Sequence, residues 1–264
     1  MSKNNRPPVW VSQNFLTSAA TIRRLIRKTT ITPHDHVIEI GPGKGHITGA
    51  LLAHCKQVSA IELDKDLYNK LRIKYEATEN LKLYHQDFLQ WHLPAAGPYK
   101  VFANIPFSHT TGIIMKLTQA PNPPTEAWLV VEKGAAKRFM GQPRENTRSL
   151  SIKPLFHMRV IYHFAREDFH PMPGIDVVLL HIKMKAPHDL PRPEWRRYQN
   201  FITNATKDNG GGLARLFTKK QLTNARKLAG INDRHSGEIL YIQWLCLFRC
   251  YERYAAGGRG KRKV

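Results

Sequence analysis

Apolar positions along the first part of the chain alternate between two spacings. Around residues 17–29, Ile22, Leu25 and Ile26 fall on one face of a helix and basic side chains fall away from it. Short β-branched and aromatic segments predict strands at residues 36–41, 57–64, 81–87, 99–105 and 126–132, and helices are predicted at 46–55 and 66–75. Strands that alternate with helices favour an α/β fold with a mostly parallel sheet covered on both faces.

The pattern changes after residue 185. Two late segments, 159–173 and 176–185, are predicted as strands around a proline-rich bend, and Pro187, Pro191 and Pro193 then suggest a linker. Helices are predicted at 194–206, 218–229 and 236–254. We therefore predict a first domain at residues 1–185, a small helical domain at 186–256 and a basic tail at 257–264.

Charge is the strongest signal in the composition. The 264 residues contain 41 Lys and Arg against 20 Asp and Glu, a formal charge of +21. Such an excess favours a polyanionic partner, and nucleic acid is a better candidate than a membrane surface. Cys55, Cys246 and Cys250 form neither a disulfide framework nor a metal-binding spacing, so we predict no metal site. The N-terminus has no apolar signal core and no apolar run reaches membrane-spanning length, so we expect a cytoplasmic protein without a membrane partner.

A glycine-rich loop follows the first predicted strand of the sheet. Residues 37–48 read VIEIGPGKGHIT, in which Gly41, Gly43 and Gly45 separate a strand from a helix. Glycines at that point let a ligand approach the backbone, although the same loop could be a plain turn. The spacing is G-x-G-x-G, and His46 stands where a dinucleotide fingerprint has its last glycine. With Glu39 before the loop, this favours S-adenosylmethionine over NAD.

Two acidic residues end the next two strands. Glu62 follows the loop by about twenty residues and can accept hydrogen bonds from both hydroxyls of a ribose. Asp64 is a competitor for that role, but it is better placed to cap the following helix. Asp87 can accept from the amino group of an adenine, or it can cap a helix itself. Three strand ends thus converge on one adenosine-shaped ligand.

The segment KVFANIPFSHTT at residues 100–111 ends a strand with Asn104, Ile105, Pro106 and Phe107. The Asn104 carbonyl and the main-chain carbonyl near Ile105 can hold the two N–H groups of an amine attached to an aromatic ring, which turns its lone pair towards a methyl donor. Pro106 fixes its φ and donates no N–H, and Phe107 offers a face on which an extruded base can stack. The alternative is a strand-ending turn with Phe107 in the core.

These segments together resemble the Erm family of 23S rRNA adenine N6-methyltransferases. The matching segments are SQNFLTS (12–18), EIGPGKGHIT (39–48), AIELD (60–64), the QDFLQ around Asp87, NIPF (104–107) and FHPMPGIDVVLL (169–180). The resemblance covers residues 11–185. It implies a Rossmann-like methyltransferase with a mostly parallel seven-stranded sheet and a small C-terminal helical domain that interacts with RNA.

The resemblance also implies an activity and a site. The enzyme would use S-adenosylmethionine to methylate N6 of one adenine in the peptidyl-transferase region of 23S rRNA, giving resistance to macrolide, lincosamide and streptogramin B antibiotics. By motif position the cofactor-binding residues would be Asn14, Leu16, Gly41, Gly43, Glu62, Asp87 and Asn104. The residues that hold the target base would be Asn104, Ile105, Pro106 and Phe107, with Phe169 either facing the other side of that base or lying in the core.

Three other functions compete with this one. A KsgA-type enzyme dimethylates adjacent adenines of 16S rRNA, but its family usually has a glycine at the position of Ser12 and a leucine at that of Ile105. A non-catalytic rRNA-binding assembly factor would have a degraded methyl pocket. A DNA adenine methyltransferase usually carries DPPY or NPPY.

The expected partner is 23S rRNA, as free or precursor RNA with an accessible target loop, bound by a monomer. The phenylalanine at position 107 departs from the commoner tyrosine and removes a hydroxyl. Basic candidates for contact with RNA are Arg23, Arg24, Arg27, Lys28, Lys133, Lys137, Arg138, Arg144 and Arg148.

Overall fold

A computed structural model of the protein describes residues 14–207, 211–231 and 238–259. These residues form nine strands: β1 (Phe15–Leu16), β2 (His36–Ile40), β3 (Gln57–Glu62), β4 (Leu81–His85), β5 (Lys100–Asn104), β6 (Glu126–Glu132), β7 (Phe156–His163), β8 (Phe169–His170) and β9 (Val177–Met184). They also form ten α-helices: α1 (Ala19–Arg27), α2 (His46–Leu52), α3 (Lys65–Lys74), α4 (Thr110–Gln119), α5 (Lys133–Met140), α6 (Thr147–Ile152), α7 (Arg192–Ala205), α8 (Gly212–Leu216), α9 (Lys219–Leu228) and α10 (Tyr241–Arg259).

Seven of these strands form one sheet, in the spatial order β4-β3-β2-β5-β6-β9-β7. Strands β2 to β6 pair in parallel, whereas β9 runs antiparallel to β6. Strand β2 lies between β3 and β5, so the chain builds one side of the sheet and then returns to the other. In open α/β sheets, the crevice outside the strand ends at such a reversal is where ligands bind. The predicted α/β fold with a mostly parallel seven-stranded sheet is confirmed.

Helix α1 packs through the face that its spacing predicts. Ile22, Leu25 and Ile26 are each 2% exposed or less, and they belong to the same core as Val37 of β2. Burial of a side chain of this kind stabilises a fold by about 1.5–3 kcal/mol. Ser18 caps the helix, because its hydroxyl accepts from the N–H of Thr21 at 3.2 Å.

The late segment 159–173 is not one continuous strand. Strand β7 ends at His163, a 3₁₀ turn follows at Arg166–Asp168, and only Phe169–His170 is extended again, as β8. The Asp168 carboxylate closes the turn, because it accepts from the N–H of Ala165 at 3.1 Å and from the Thr21 hydroxyl at 2.7 Å. Strand β8 then pairs antiparallel with β1, outside the main sheet.

The protein forms two compact units. One contains the chain up to Ala136 together with His157–Met184, and the other contains Lys137–Phe156 and the chain from Lys185. Residues 137–156 therefore group with the later helices, although the sequence had suggested one division near residue 185. Helix α10 extends to Arg259, past the predicted start of the basic tail, while residues 260–264 and Ser12 lie outside the described residues.

The second unit has an aromatic core of its own. Tyr198, Phe201 and Phe248 are each 2% exposed or less. The ring centroid of Phe248 lies 5.3 Å from that of Tyr198 and 5.6 Å from that of Phe201. Cys250 is buried in this cluster and Cys246 packs against it, as their spacing in an apolar helix predicts. Within residues 14–207, 211–231 and 238–259, no helix is long and apolar enough to cross a membrane.

Candidate active site

The loop after β2 combines an open glycine with a tightly packed one. Gly41 and Gly43 have φ values of 64° and 57°, in the left-handed region that favours glycine. A Cβ atom added to Gly41 would meet no atom within 4 Å, whereas one added to Gly43 would lie 2.7 Å from the ring atom Cε1 of Phe15. The loop therefore leaves space at Gly41 and fills it at Gly43.

Glu62, at the end of β3, is held by two main-chain donors. Its side chain accepts from the N–H of Gly43 at 2.9 Å and from the N–H of Asp64 at 2.9 Å, one at each carboxylate oxygen. Each oxygen keeps a further lone pair, so the carboxylate can still accept from ligand hydroxyls. Gly43 thus acts on the site by holding the Glu62 carboxylate. It is not among the residues that line the two cavities described next.

A cavity of about 350 Å³ lies along the ends of β2 and β3 and the segment after β4. Its volume is in the range of ligand-binding clefts. Gly41, Glu62 and Asp87, all predicted as cofactor-binding residues, come together in its lining. Leu63 and Leu89 also line it and are 52% and 38% exposed, so they offer apolar surface to a flat ring.

Asp64 and Asp87 both accept hydrogen bonds from nearby main-chain N–H groups, but only Asp64 caps a helix. Asp64 accepts from the N–H groups of Asp66 and Leu67 and begins α3, as predicted. Asp87 accepts from the N–H of Leu89 at 2.8 Å through Oδ1. Residues 88–90 form a turn and not a helix, so Asp87 does not cap a helix, and its position on the cavity wall is compatible with this bond.

A second, smaller cavity adjoins the first, and the two share Gly41 and Pro106. Six of the predicted site residues besides Gly41 line this second cavity: Asn14, Leu16, Asn104, Ile105, Pro106 and Phe107. All the predicted site residues except Gly43 thus lie at two neighbouring spaces, and their roles there stay predictions.

The Asn104 carboxamide has a defined orientation. Its Nδ2 donates to the main-chain carbonyl of Asn14 at 2.8 Å. Since an amide carries its donor and its acceptor on opposite sides, this bond turns Oδ1 away from Asn14. Among the described residues, no protein donor bonds to Oδ1, so this oxygen is available to accept a hydrogen bond in the cavity.

Phe107 and Phe169 contact the same hydrophobic core but differ in exposure. Phe107 begins a 3₁₀ turn, is half-buried and borders the second cavity. Phe169 is 3% exposed and its ring lies 5.1 Å from that of Phe164 in the core. The structure therefore supports the core alternative for Phe169, and the suggestion that it faces the target base is corrected.

Burial raises the pKa of both acidic groups behind the glycine loop. Glu39 is 1% exposed, and its burial raises its pKa to about 8. Burial also raises the pKa of Glu62, against the opposing effect of its main-chain hydrogen bonds from Asp64 and Gly43. This side of the site is therefore poor in solvent.

The first cavity suits a nucleoside, and the second, of about 30 Å³, adjoins it where a reactive group could lie. The first has carboxylates for hydroxyl and amino groups and leucines for a planar base, and Gly41 leaves an open approach where it meets the second. A family model described as ribosomal RNA adenine dimethylase matches residues 6–244. The chain belongs to this family.

Curated relatives and solved structures agree with that membership. The rRNA adenine N-6-methyltransferase of Limosilactobacillus reuteri is 32% identical over 250 residues, which cover 95% of this chain and 99% of the relative. The enzyme of the same name from Escherichia coli is 33% identical over 251 residues, 95% of this chain and 97% of the relative. The crystal structure of the 23S rRNA methyltransferase ErmE has a TM-score of 0.78 at 26% identity and covers 90% of this chain and 100% of its own.

A dimethyladenosine transferase from Plasmodium falciparum shares the fold. Its TM-score is 0.71 at 20% identity, and the match covers 91% of this chain and 98% of that one. The protein is thus an S-adenosylmethionine-dependent rRNA adenine N6-methyltransferase.

Several lining residues of this methyltransferase were not singled out from its sequence. Phe15, Lys44 and His46 line the second cavity, and the Lys44 ammonium lies 5.0 Å above the Phe15 ring. Desolvation and the charges of Lys74 and Lys44 lower the pKa of His46. Lys44 and His46 stand inside the glycine segment, which was an available signal. Other missed residues that line the first cavity are Leu63, Phe88, Leu89, His109 and Ile113.

Proposed function

We propose that this methyltransferase modifies N6 of one adenine in the peptidyl-transferase region of 23S rRNA and so gives resistance to macrolide, lincosamide and streptogramin B antibiotics. The observation that carries the proposal is the likeness to the 23S rRNA methyltransferase ErmE, at 26% identity over 90% of the chain. The isoleucine at position 105, where KsgA-type enzymes usually have leucine, points the same way.

The first cavity takes the adenosine part of S-adenosylmethionine in this proposal. Glu62 accepts from the ribose hydroxyls, Asp87 accepts from the adenine amino group, and Gly41 lets the ligand pass close to the backbone. Gly43 holds the Glu62 carboxylate through its N–H, which donates at 2.9 Å. Asn14 and Leu16 border the second cavity, where the methyl group is transferred.

The second cavity takes the target adenine. Bound S-adenosylmethionine supplies a methyl group made electrophilic by its sulfonium. Asn104 Oδ1 and the main-chain carbonyl of Ile105 accept the two N–H bonds of N6, so that the lone pair faces the methyl group. Stacking on Phe107 contributes about 1–3 kcal/mol, which offsets part of the cost of extruding the base.

The transfer needs no strong base. The cofactor would supply the methyl group from its sulfur to N6, and N6 would then lose its extra proton to water. The roles of Asn104 and its neighbours are therefore orientation and electrostatic stabilisation.

The rRNA substrate is bound as free or precursor 23S rRNA by a monomer, and the excess of positive charge supplies much of the affinity. The basic groups proposed to contact it are those of α1 and of the segment that follows β6. These residues are Arg23, Arg24, Arg27, Lys28, Lys133, Lys137, Arg138, Arg144 and Arg148.

Mass spectrometry of rRNA tests this proposal. 23S and 16S rRNA are isolated from cells that lack the chain, from cells that express it, and from cells that express the Asn104→Ala variant. We expect one 23S adenine in the peptidyl-transferase region to gain one or two methyl groups only with the wild-type chain, together with resistance to erythromycin. Methyl groups on adjacent adenines of 16S rRNA, with no change in 23S rRNA, would replace this function by the KsgA-type alternative.

A further inference from the structure

The loop at residues 171–176, which connects β8 to β9, is fixed at both ends. At its start, Asn14 Nδ2 donates to the main-chain carbonyl of Pro171 at 2.7 Å. At its end, the main-chain carbonyl of Asp176 accepts from the N–H of Lys133 at 2.9 Å, and the Asp176 carboxylate lies 3.1 Å from the Lys133 ammonium. Pro173 is buried between these anchors. The loop is therefore held in one place rather than free in solvent.

This loop presents apolar side chains to solvent. Met172 is 64% exposed and Ile175 is 38% exposed. Single exposed apolar residues are common on protein surfaces and need no explanation. Here two of them lie on one anchored loop, in a protein with a formal charge of +21 whose partner is RNA.

The loop is connected to Asn104 through Asn14. Asn14 uses its side chain to hold Pro171 and its main-chain carbonyl to accept from Asn104 Nδ2 at 2.8 Å. One residue thus links the anchor of the loop to the carboxamide in the second cavity. Met172 follows Pro171, so it is one residue away in the chain from a carbonyl that is hydrogen-bonded to Asn14, which lines the second cavity.

Extruding an adenine leaves a gap between its neighbours in the RNA. Proteins that unstack nucleic acid often fill such a gap with an apolar side chain, methionine among them. Methionine is unbranched and polarizable, which suits a flat, irregular space between two bases. Phe169 points into the core instead, so it is not available to do this.

We propose that Met172 is a positioning residue that enters the gap left in the rRNA stack and so keeps the target adenine in the second cavity. The inference deepens the proposed function, but it requires only that the substrate be an adenine in a stacked RNA. It assigns to Met172 a role in base extrusion and none in the transfer itself.

A matched pair of RNAs tests the proposal. One pair is made from a 23S hairpin of the peptidyl-transferase region, and a second pair is made from the 16S hairpin with adjacent adenines. In one RNA the target adenine is stacked between its natural neighbours, and in the other both neighbours are abasic, so that no stack holds the target. The hairpin methylated by the wild-type enzyme reports on the proposed function, and the ratio between variants on that hairpin reports on Met172.

On the stacked hairpin we expect Met172→Ala to lower kcat/KM about tenfold, and Met172→Leu to stay near the wild-type value. On the abasic hairpin all three proteins should agree within about twofold, because there is no stack to replace. Ile73→Ala, which removes a side chain that is 71% exposed on α3, is the matched control and should behave as the wild type on both RNAs.

A second readout follows the base itself. With 2-aminopurine in place of the target adenine, binding of the wild-type enzyme should raise the fluorescence, and Met172→Ala should give a smaller rise at saturating protein. An equal loss of kcat/KM on both hairpins would make Met172 a structural residue. Unchanged activity and fluorescence on the stacked hairpin would overturn the proposal as well.

Discussion

Replacing Gly41 with alanine adds one methyl group at a point where both cavities meet. Gly41 lines both of them, and an added Cβ would have no protein atom within 4 Å. The methyl group would therefore occupy space that we assign to the cofactor. The change separates a cost in folding from a cost in binding.

Both costs can be worked out from the backbone. Gly41 has a φ of 64°, and an alanine in the left-handed region costs roughly 1–2 kcal/mol of stability. A methyl group forced into a filled site costs a further 1–3 kcal/mol, which is roughly a 5- to 150-fold loss of cofactor affinity. The second cost appears only when the cofactor is bound.

Gly97 provides a matched control. It has a φ of 80°, an added Cβ would also meet nothing within 4 Å, and it is not among the lining residues of either cavity. Gly97→Ala should thus lose the same roughly 1–2 kcal/mol in urea denaturation. Its affinity for S-adenosylhomocysteine, measured by titration calorimetry, should equal that of the wild type.

The affinities of the two alanine variants for S-adenosylhomocysteine decide whether the assignment holds. If Gly41→Ala and Gly97→Ala bound S-adenosylhomocysteine equally well, the cofactor would not pass over Gly41 and the assignment of the first cavity would be wrong.

Three further changes test other parts of the structure. Burial raises the pKa of Glu39 to about 8, so the folded protein keeps a proton that the unfolded chain releases above about pH 4.5. The free energy of unfolding therefore decreases as the pH rises from about 4.5 towards 8. The melting temperature of Glu39→Gln relative to the wild type should accordingly increase between about pH 5 and pH 9, and a constant difference across that range would contradict this. The affinity for the rRNA fragment that the enzyme methylates should fall steeply as the salt concentration rises in a filter-binding titration. An affinity independent of salt would contradict the inference that positive charge supplies much of the binding. Gly212→Ala should destabilise the protein in denaturant by about 1–3 kcal/mol, since its Cβ would collide with the carbonyl oxygen of Asn204. An unchanged midpoint would contradict this.

The ends of the parallel strands could be predicted because each is marked by neighbouring residues in the sequence. Gly41, Glu62 and Asn104 each follow a buried apolar run, and parallel strands bring such ends to one edge of a sheet. The antiparallel direction of β9 could not be predicted in this way, since a fully buried strand has the same pattern in either direction.

Contacts between distant segments left no local signal. Asn14 and Pro171 are 157 positions apart, and their hydrogen bond connects β1 to the loop after β8. Helix α4 was missed for another reason. Its sequence contains Thr110, Thr111, Ile113 and Ile114, β-branched residues that favour strands, and packing of the buried Ile113 and Ile114 overrides that preference.

The orientation of Asn104 is the point on which the proposed mechanism depends most. The bond from its Nδ2 to the carbonyl of Asn14 leaves Oδ1 to accept from the target amine. The most direct measurement is the single-turnover rate of methyl transfer by Asn104→Ala to the rRNA fragment that the wild type methylates, with affinity for S-adenosylhomocysteine measured beside it. We expect the rate at saturating cofactor to fall at least about a hundredfold, which exceeds any loss of affinity for S-adenosylhomocysteine. A rate equal to that of the wild type would contradict the role of this carboxamide.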